Sequence, residues 1–179
     1  MIPDAVHHRY FRAKDGHWRG KIRFRLTDPR KLRVSSMPPA DQWSLRCLGL
    51  ASRLSALVLH TTVECRENDV LHTTRVTNLG VPVYRSAETI LLEEDGRSFR
   101  VEGREGFFPF LRRADWSGRG AAAADHDGAA YQLACFGLAM EQETRMTPAG
   151  LAVVQRTAFS RADVLLTWQR PLRGARSSP

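Results

Sequence analysis

Residues 82–105 read PVYRSAETILLEEDGRSFRVEGRE, two alternating runs joined at Asp95–Gly96. Asp-Gly between alternating apolar and polar residues is the strongest short hairpin signal, because both residues tolerate the positive φ of a tight turn. Pairing 94 with 97 sets Leu92 opposite Phe99, Ile90 opposite Val101 and Glu88 opposite Gly103. Tyr84, Ser86, Glu88, Ile90 and Leu92 then share one face, and its apolar members turn it inward. Arg85, Thr89, Glu93, Arg100 and Glu102 fall outside.

The same period of two recurs along the chain. Trp18 to Asp28 alternates Trp18, Ile22, Phe24 and Leu26 against Arg19, Lys21, Arg23 and Arg25, and Asp28–Pro29 ends the run. Further strands are expected over 57–66, 71–77, 97–105, 116–124, 129–136, 138–146, 151–159 and 164–170, besides 82–93. Pro38–Pro39 opens a helix over about 39–53, in which Trp43, Cys47, Leu50 and Leu54 form the packing face and Gln42, Arg46 and Arg53 the polar one. A shorter N-terminal helix is expected over 3–13. Local connections without crossover helices give a mainly β chain: a single antiparallel up-and-down barrel of about 8–10 strands, closed so that no edge is left, with the 39–53 helix inserted after the first strand. An open sheet wrapped around that helix is the alternative. A barrel of ten strands is wider than its own side chains fill, which leaves a lumen. Residues 1–171 form one domain and 172–179 a disordered tail.

Composition sets the class. The 179 residues hold 27 basic and 19 acidic side chains, 24 of the basic ones arginine. Residues 1–33 carry a net +7 and residues 170–179 a net +3, whereas 34–169 carry a net −2. The high isoelectric point therefore comes from the two ends, and only His7–His8–Arg9–Tyr10–Phe11–Arg12 interleaves bases with aromatics as a nucleic-acid binder does. Nucleic acid is not an expected partner. There is no apolar run long enough to span a membrane and no signal core, and three isolated cysteines fit a reducing cytoplasm. No Gly-rich phosphate loop, nucleophile elbow or metal-ligand spacing occurs, so neither metal nor cofactor is expected.

Gly16–His17–Trp18–Arg19–Gly20 opening the first strand, the helix after it, and Thr167–Trp168–Gln169–Arg170 closing the last resemble the calycin barrels: lipocalins, fatty-acid-binding proteins and nitrobindin-like proteins. The resemblance implies a barrel around an apolar ligand, with Trp18 packed under Arg170. The inserted helix is similar to the fatty-acid-binding branch, and Trp-Arg-Gly at 18–20 to nitrobindins. Nitrobindin-like proteins hold haem through a late histidine; residues 151–170 contain none, so no haem is expected.

Candidate site residues are those whose alternation turns polar groups inward. Glu88, Tyr84 and His72 are the candidate acid–base groups, since a desolvated carboxyl or imidazole can titrate near neutrality. Pairing 67 with 70 sets Cys65 opposite His72 and Val63 opposite Thr74, and puts His72, Thr74 and Val76 inside. Pairing 146 with 151 across Pro148–Ala149 sets Gln142 opposite Gln155 and Met140 opposite Thr157 on an inner wall. Gln142, Gln155, Met140, Thr74, Phe99 and Phe108 are the candidate ligand contacts, Phe108 from the apolar loop Gly106–Phe110 over the opening. Tyr131 is left without an assigned face because Gly137 is expected to mark a bulge. Two functions follow. One is a lumen that binds a small apolar or amphipathic molecule, with or without isomerase or cyclase chemistry on it. The other is an interaction module using the basic N-terminus, and a homodimer is compatible with either.

Overall fold

The computed structural model describes residues 8–107, 112–135 and 138–169. Ten strands close into one antiparallel barrel: β1 (Gly16–Leu26), β2 (Leu57–Cys65), β3 (Val70–Asn78), β4 (Val81–Leu92), β5 (Ser98–Phe107), β6 (Arg112–Ala122), β7 (Gly128–Cys135), β8 (Leu138–Thr147), β9 (Gly150–Thr157) and β10 (Ser160–Gln169). Each strand pairs with its neighbours in the chain, and β1 pairs with both β2 and β10, so every ladder hydrogen-bonding edge is used. Three helices complete the described chain: α1 (Arg9–Lys14), α2 (Pro29–Arg33) and α3 (Pro39–Leu54). None is long and apolar enough to cross a membrane.

The barrel is stoppered at both ends. At one end α1 brings Tyr10 and Phe11, both wholly buried, into a cluster with Val70, Ile90, Phe99 and Tyr131. At the other, Leu45 of α3 and Leu32 of α2 pack over Phe24, Leu57, Val76 and Phe159. Six residues cannot hold a helix in water alone, so α1 owes its order to docking.

The expected N-terminal helix over 3–13 is met in part by α1, which runs from Arg9 to Lys14; residues 1–7 lie outside the described part. Helix α2 was not expected. Asp28–Pro29 does end β1, but it also starts a helix: the Asp28 carboxylate accepts from the Arg30 and Lys31 amides at 3.1 and 3.2 Å, with Pro29 in the first turn.

Helix α3 lies where expected but presents a different face. Trp43, Leu50 and Leu54 are 54%, 57% and 77% exposed and Cys47 is also exposed, while Asp41, Ser44, Leu45 and Gly49 are buried. The approach of the helix to β1 decides this. Gly49 faces Leu26 and Phe24 of β1, whose atoms would make ordinary contacts of 3.6–3.8 Å with a β-carbon there. Beyond the last β1–β2 pair, Ile22 with Leu57, the Phe24 amide donates to Ser52 Oγ at 2.9 Å, fixing the helix to the strand.

Two hairpin registers are as read. Glu88 faces Gly103 across β4–β5, and Gln142 faces Gln155 across β8–β9. The β2–β3 register differs: Cys65 pairs with Val70 and Val63 with His72, because β2 stops at Cys65 and the Arg66 amide bonds the Asp69 carbonyl at 2.8 Å. The displacement is two residues, so the inner face keeps its members. Strand β6 starts at Arg112 rather than 116, and Gly106 and Phe107 belong to β5 rather than to a loop. Phe108, Gly137, Arg170 and the tail 172–179 lie outside the described residues.

Candidate functional site

Between the two stoppers lies a cavity of about 190 Å³, mostly apolar in its lining. It runs from Met37 and Leu45 beneath α3 to Lys14 at the foot of α1. An engineered apolar cavity of about 150 Å³ accepts benzene. The space therefore suits a molecule of one or two rings.

Its polar groups fall into two sets. The first belongs to β2, β3 and β4. His72 pairs directly with Glu88 across β3–β4, and Thr61 with Thr74 across β2–β3. His72 Nδ1 meets Glu88 Oε1 in a very short contact, and His72 Nε2 lies 2.5 Å from Thr61 Oγ1. Thr61 Oγ1 is also 3.0 Å from the Thr73 carbonyl and 3.1 Å from Thr74 Oγ1. Burial, reinforced by the Lys14 ammonium, holds the His72 imidazole down at about 3. A neutral imidazole has one N–H and one acceptor nitrogen. Glu88, His72 and Thr61 thus form a chain along which a proton can enter at one nitrogen and leave from the other.

The His72 shift has a pH consequence. Its pKa is about 6.5 in an unfolded chain and about 3 in the fold. Between these values the unfolded state binds more protons, so this residue's contribution to stability is complete above pH 6.5 and is lost as pH falls toward 3. The melting temperature should fall on acidification through that window, and His72→Gln should flatten that part of the profile. A melting temperature that instead rises on acidification, and loses the rise in His72→Gln, would show an imidazolium–carboxylate ion pair.

The second set comes from α1 and the strands around it. Lys14, only 1% exposed, donates to Tyr10 Oη at 3.1 Å and to Tyr131 Oη at 3.3 Å. The Tyr10 hydroxyl is in very short contact with Thr144 Oγ1, which donates to the Ala129 carbonyl at 3.3 Å. Tyr131 faces inward, and burial pushes its phenol well above the usual range. Trp18 Nε1 donates to the Lys14 carbonyl at 2.8 Å, so the buried Trp18 anchors α1 to the wall. Trp116 lines the cavity, and its Nε1 is buried without a hydrogen-bond partner.

The other candidate residues separate. Thr74, Met140, Gln142, Gln155 and Tyr84 line the cavity. Tyr84 donates to Glu105 Oε2 at 2.9 Å, and Gln155 Nε2 points at Met140 Sδ rather than at Gln142. Phe99 does not line it: its ring packs into the α1 stopper, 5.3 Å from Phe11 and 5.0 Å from Tyr131. Lys14 and Trp116 escaped the sequence reading. Lys14 had a legible signal, since it follows Tyr10 by four residues and Phe11 by three, which puts all three on one helix face. Among the described residues no group of three or more His, Cys, Asp and Glu side chains is placed to hold a metal. No family model, curated protein or solved structure matches the chain.

Proposed function

We propose that this chain is a calycin-like binding barrel whose lumen takes a small, mainly apolar molecule of one or two rings. The observation that carries the reading is the space inside the barrel: an apolar chamber of about 190 Å³, with a few polar groups converging on it. A site of that kind combines burial of the ligand with a small number of orienting contacts. The basic N-terminus supports the alternative interaction reading less well, because Tyr10, Phe11 and Lys14 are spent inside the barrel. Calorimetric titration with 2-naphthol is expected to give one site per chain. Filling the lumen with Val153→Phe, from a cavity-lining position, should abolish it. Binding to both proteins alike would place the ligand elsewhere and overturn the reading.

The Glu88–His72–Thr61 chain favours a second reading, acid–base isomerisation or cyclisation of the bound molecule. A bicyclic ketone such as 2-tetralone exchanges its α-protons through an enol, which a wall acid–base pair accelerates. Glu88→Gln keeps the shape of the side chain but cannot titrate, and should slow deuterium exchange into bound 2-tetralone by roughly 100-fold. Exchange no faster with the parent protein than in buffer would remove the catalytic reading and leave the binding one intact.

A further inference from the structure

We infer that the lumen's ligand is an organic monoanion, a small one- or two-ring carboxylic acid whose carboxylate sits between Lys14 Nζ and Trp116 Nε1. This rests on the lumenal binding reading. The inference starts from an imbalance. Lys14 is 1% exposed, yet no carboxylate among the described residues forms an ion pair with it. Its partners are two neutral phenols, Tyr10 and Tyr131, which accept two of its three ammonium protons. A buried cation without a counter-charge is costly, and such groups are normally paired.

A second, independent observation concerns Trp116. It is 7% exposed, lines the same cavity as Lys14, and buries an indole N–H that donates to nothing. Unsatisfied buried donors are rare and cost free energy until an acceptor arrives. The strands explain its position. Glu88 pairs with Gly103 and Gly103 with Trp116, and the indole lies across the glycine: a β-carbon on Gly103 would be 2.4–2.8 Å from the Trp116 Cε2, Cζ2 and Nε1 atoms. Gly103 thus makes room for the indole on the wall.

The two carboxylates that line the lumen do not supply the missing acceptor. Glu88 is engaged by His72, and Glu105 accepts from Tyr84. Among the described residues neither carboxylate is hydrogen-bonded to Lys14 or to the Trp116 indole, so the remaining ammonium proton and the indole N–H are open to an incoming acceptor, and a carboxylate serves both. The volume of about 190 Å³ suits a compact ring acid.

The test compares 2-naphthoate with its uncharged analogue 2-naphthalenemethanol by calorimetry at neutral pH. The parent protein should prefer the acid by roughly 10- to 100-fold, the range of a buried charge-assisted hydrogen bond. Lys14→Met keeps the length of the side chain without the charge, and should reduce the preference to less than about 3-fold by weakening only the acid. Trp116→Phe keeps a ring and removes the N–H, and serves where Lys14→Met does not fold; it too should weaken the acid selectively. Equal affinity of the parent for acid and alcohol would overturn the anion inference and leave the lumenal reading standing. Binding of neither would overturn both.

Discussion

Replacing Trp18 with alanine is expected to lower the melting temperature by roughly 6–20 °C, from a loss of about 3–5 kcal/mol for a buried aromatic and about 2–4 °C per kcal/mol in a domain of this size. Trp18 is 5% exposed and packs with Leu151, Val164 and Leu166 on the inner wall. Its indole also holds the Lys14 carbonyl. The substitution therefore opens a cavity and releases the end of α1 together. A whole-domain stability is typically about 5–15 kcal/mol, so the loss is a large share of it. Melting within a degree or two of the parent would show that Trp18 is not part of the packed wall. The resemblance to calycins set Trp18 beneath Arg170, which lies outside the described residues; among those described, the indole donates to the Lys14 carbonyl.

Phe11→Ala should have a comparable cost, about 3–5 kcal/mol, and an effect on access that Trp18→Ala need not share. Phe11 is wholly buried, with its ring 4.9 Å from Tyr10, 5.3 Å from Phe99 and 5.0 Å from His8. Phe99 can lean toward it because Gly120 leaves the space: a β-carbon there would be 2.2 Å from the Phe99 ring. The stopper is thus a cluster of tilted and edge-to-face rings built on one short helix, and removing its central ring should let solvent into that end of the barrel. Acrylamide quenching of the buried Trp18 and Trp116, read in a background where the exposed Trp43 and Trp168 are phenylalanine, should rise in Phe11→Ala. An unchanged quenching constant and melting temperature would mean that α1 does not seal the lumen.

Strand order, closure and the inner faces were legible because a period of two, combined with a short turn, leaves little freedom. Asp95–Gly96 and Pro148–Ala149 set their registers to the residue. The juxtaposition of His72 with Glu88 was not legible. The β3–β4 turn passes through Leu79 and Gly80, both at positive φ, and a bulge between Val76 and Thr77 then displaces the ladder by one residue. Alternation put each group inside, but only the bulge makes them partners. The face of α3 failed for another reason. The helix carries two apolar stripes, and its docking on β1, with Leu45 against the Phe24 cluster and Ser52 bonded to the Phe24 amide, is a tertiary event that chooses the less apolar one. Lys14 was read as one of many bases in a cationic end, although its spacing from Tyr10 places it on the buried face of α1.

The lumen as a ligand chamber is tested most directly by the methionine methyl groups. Met37 and Met140 line the cavity from different elements, one before α3 and one on β8, whereas Met146 does not line it and packs behind the lining residues Leu151 and Val164. With the methionine methyls carbon-13 labelled and assigned by Met→Leu replacements, 2-naphthoate is added and the spectrum followed. The account predicts saturable shifts of the Met37 and Met140 methyl signals, with a smaller shift at Met146. Saturation that moves Met146 or Met1 and leaves Met37 and Met140 unchanged would contradict it.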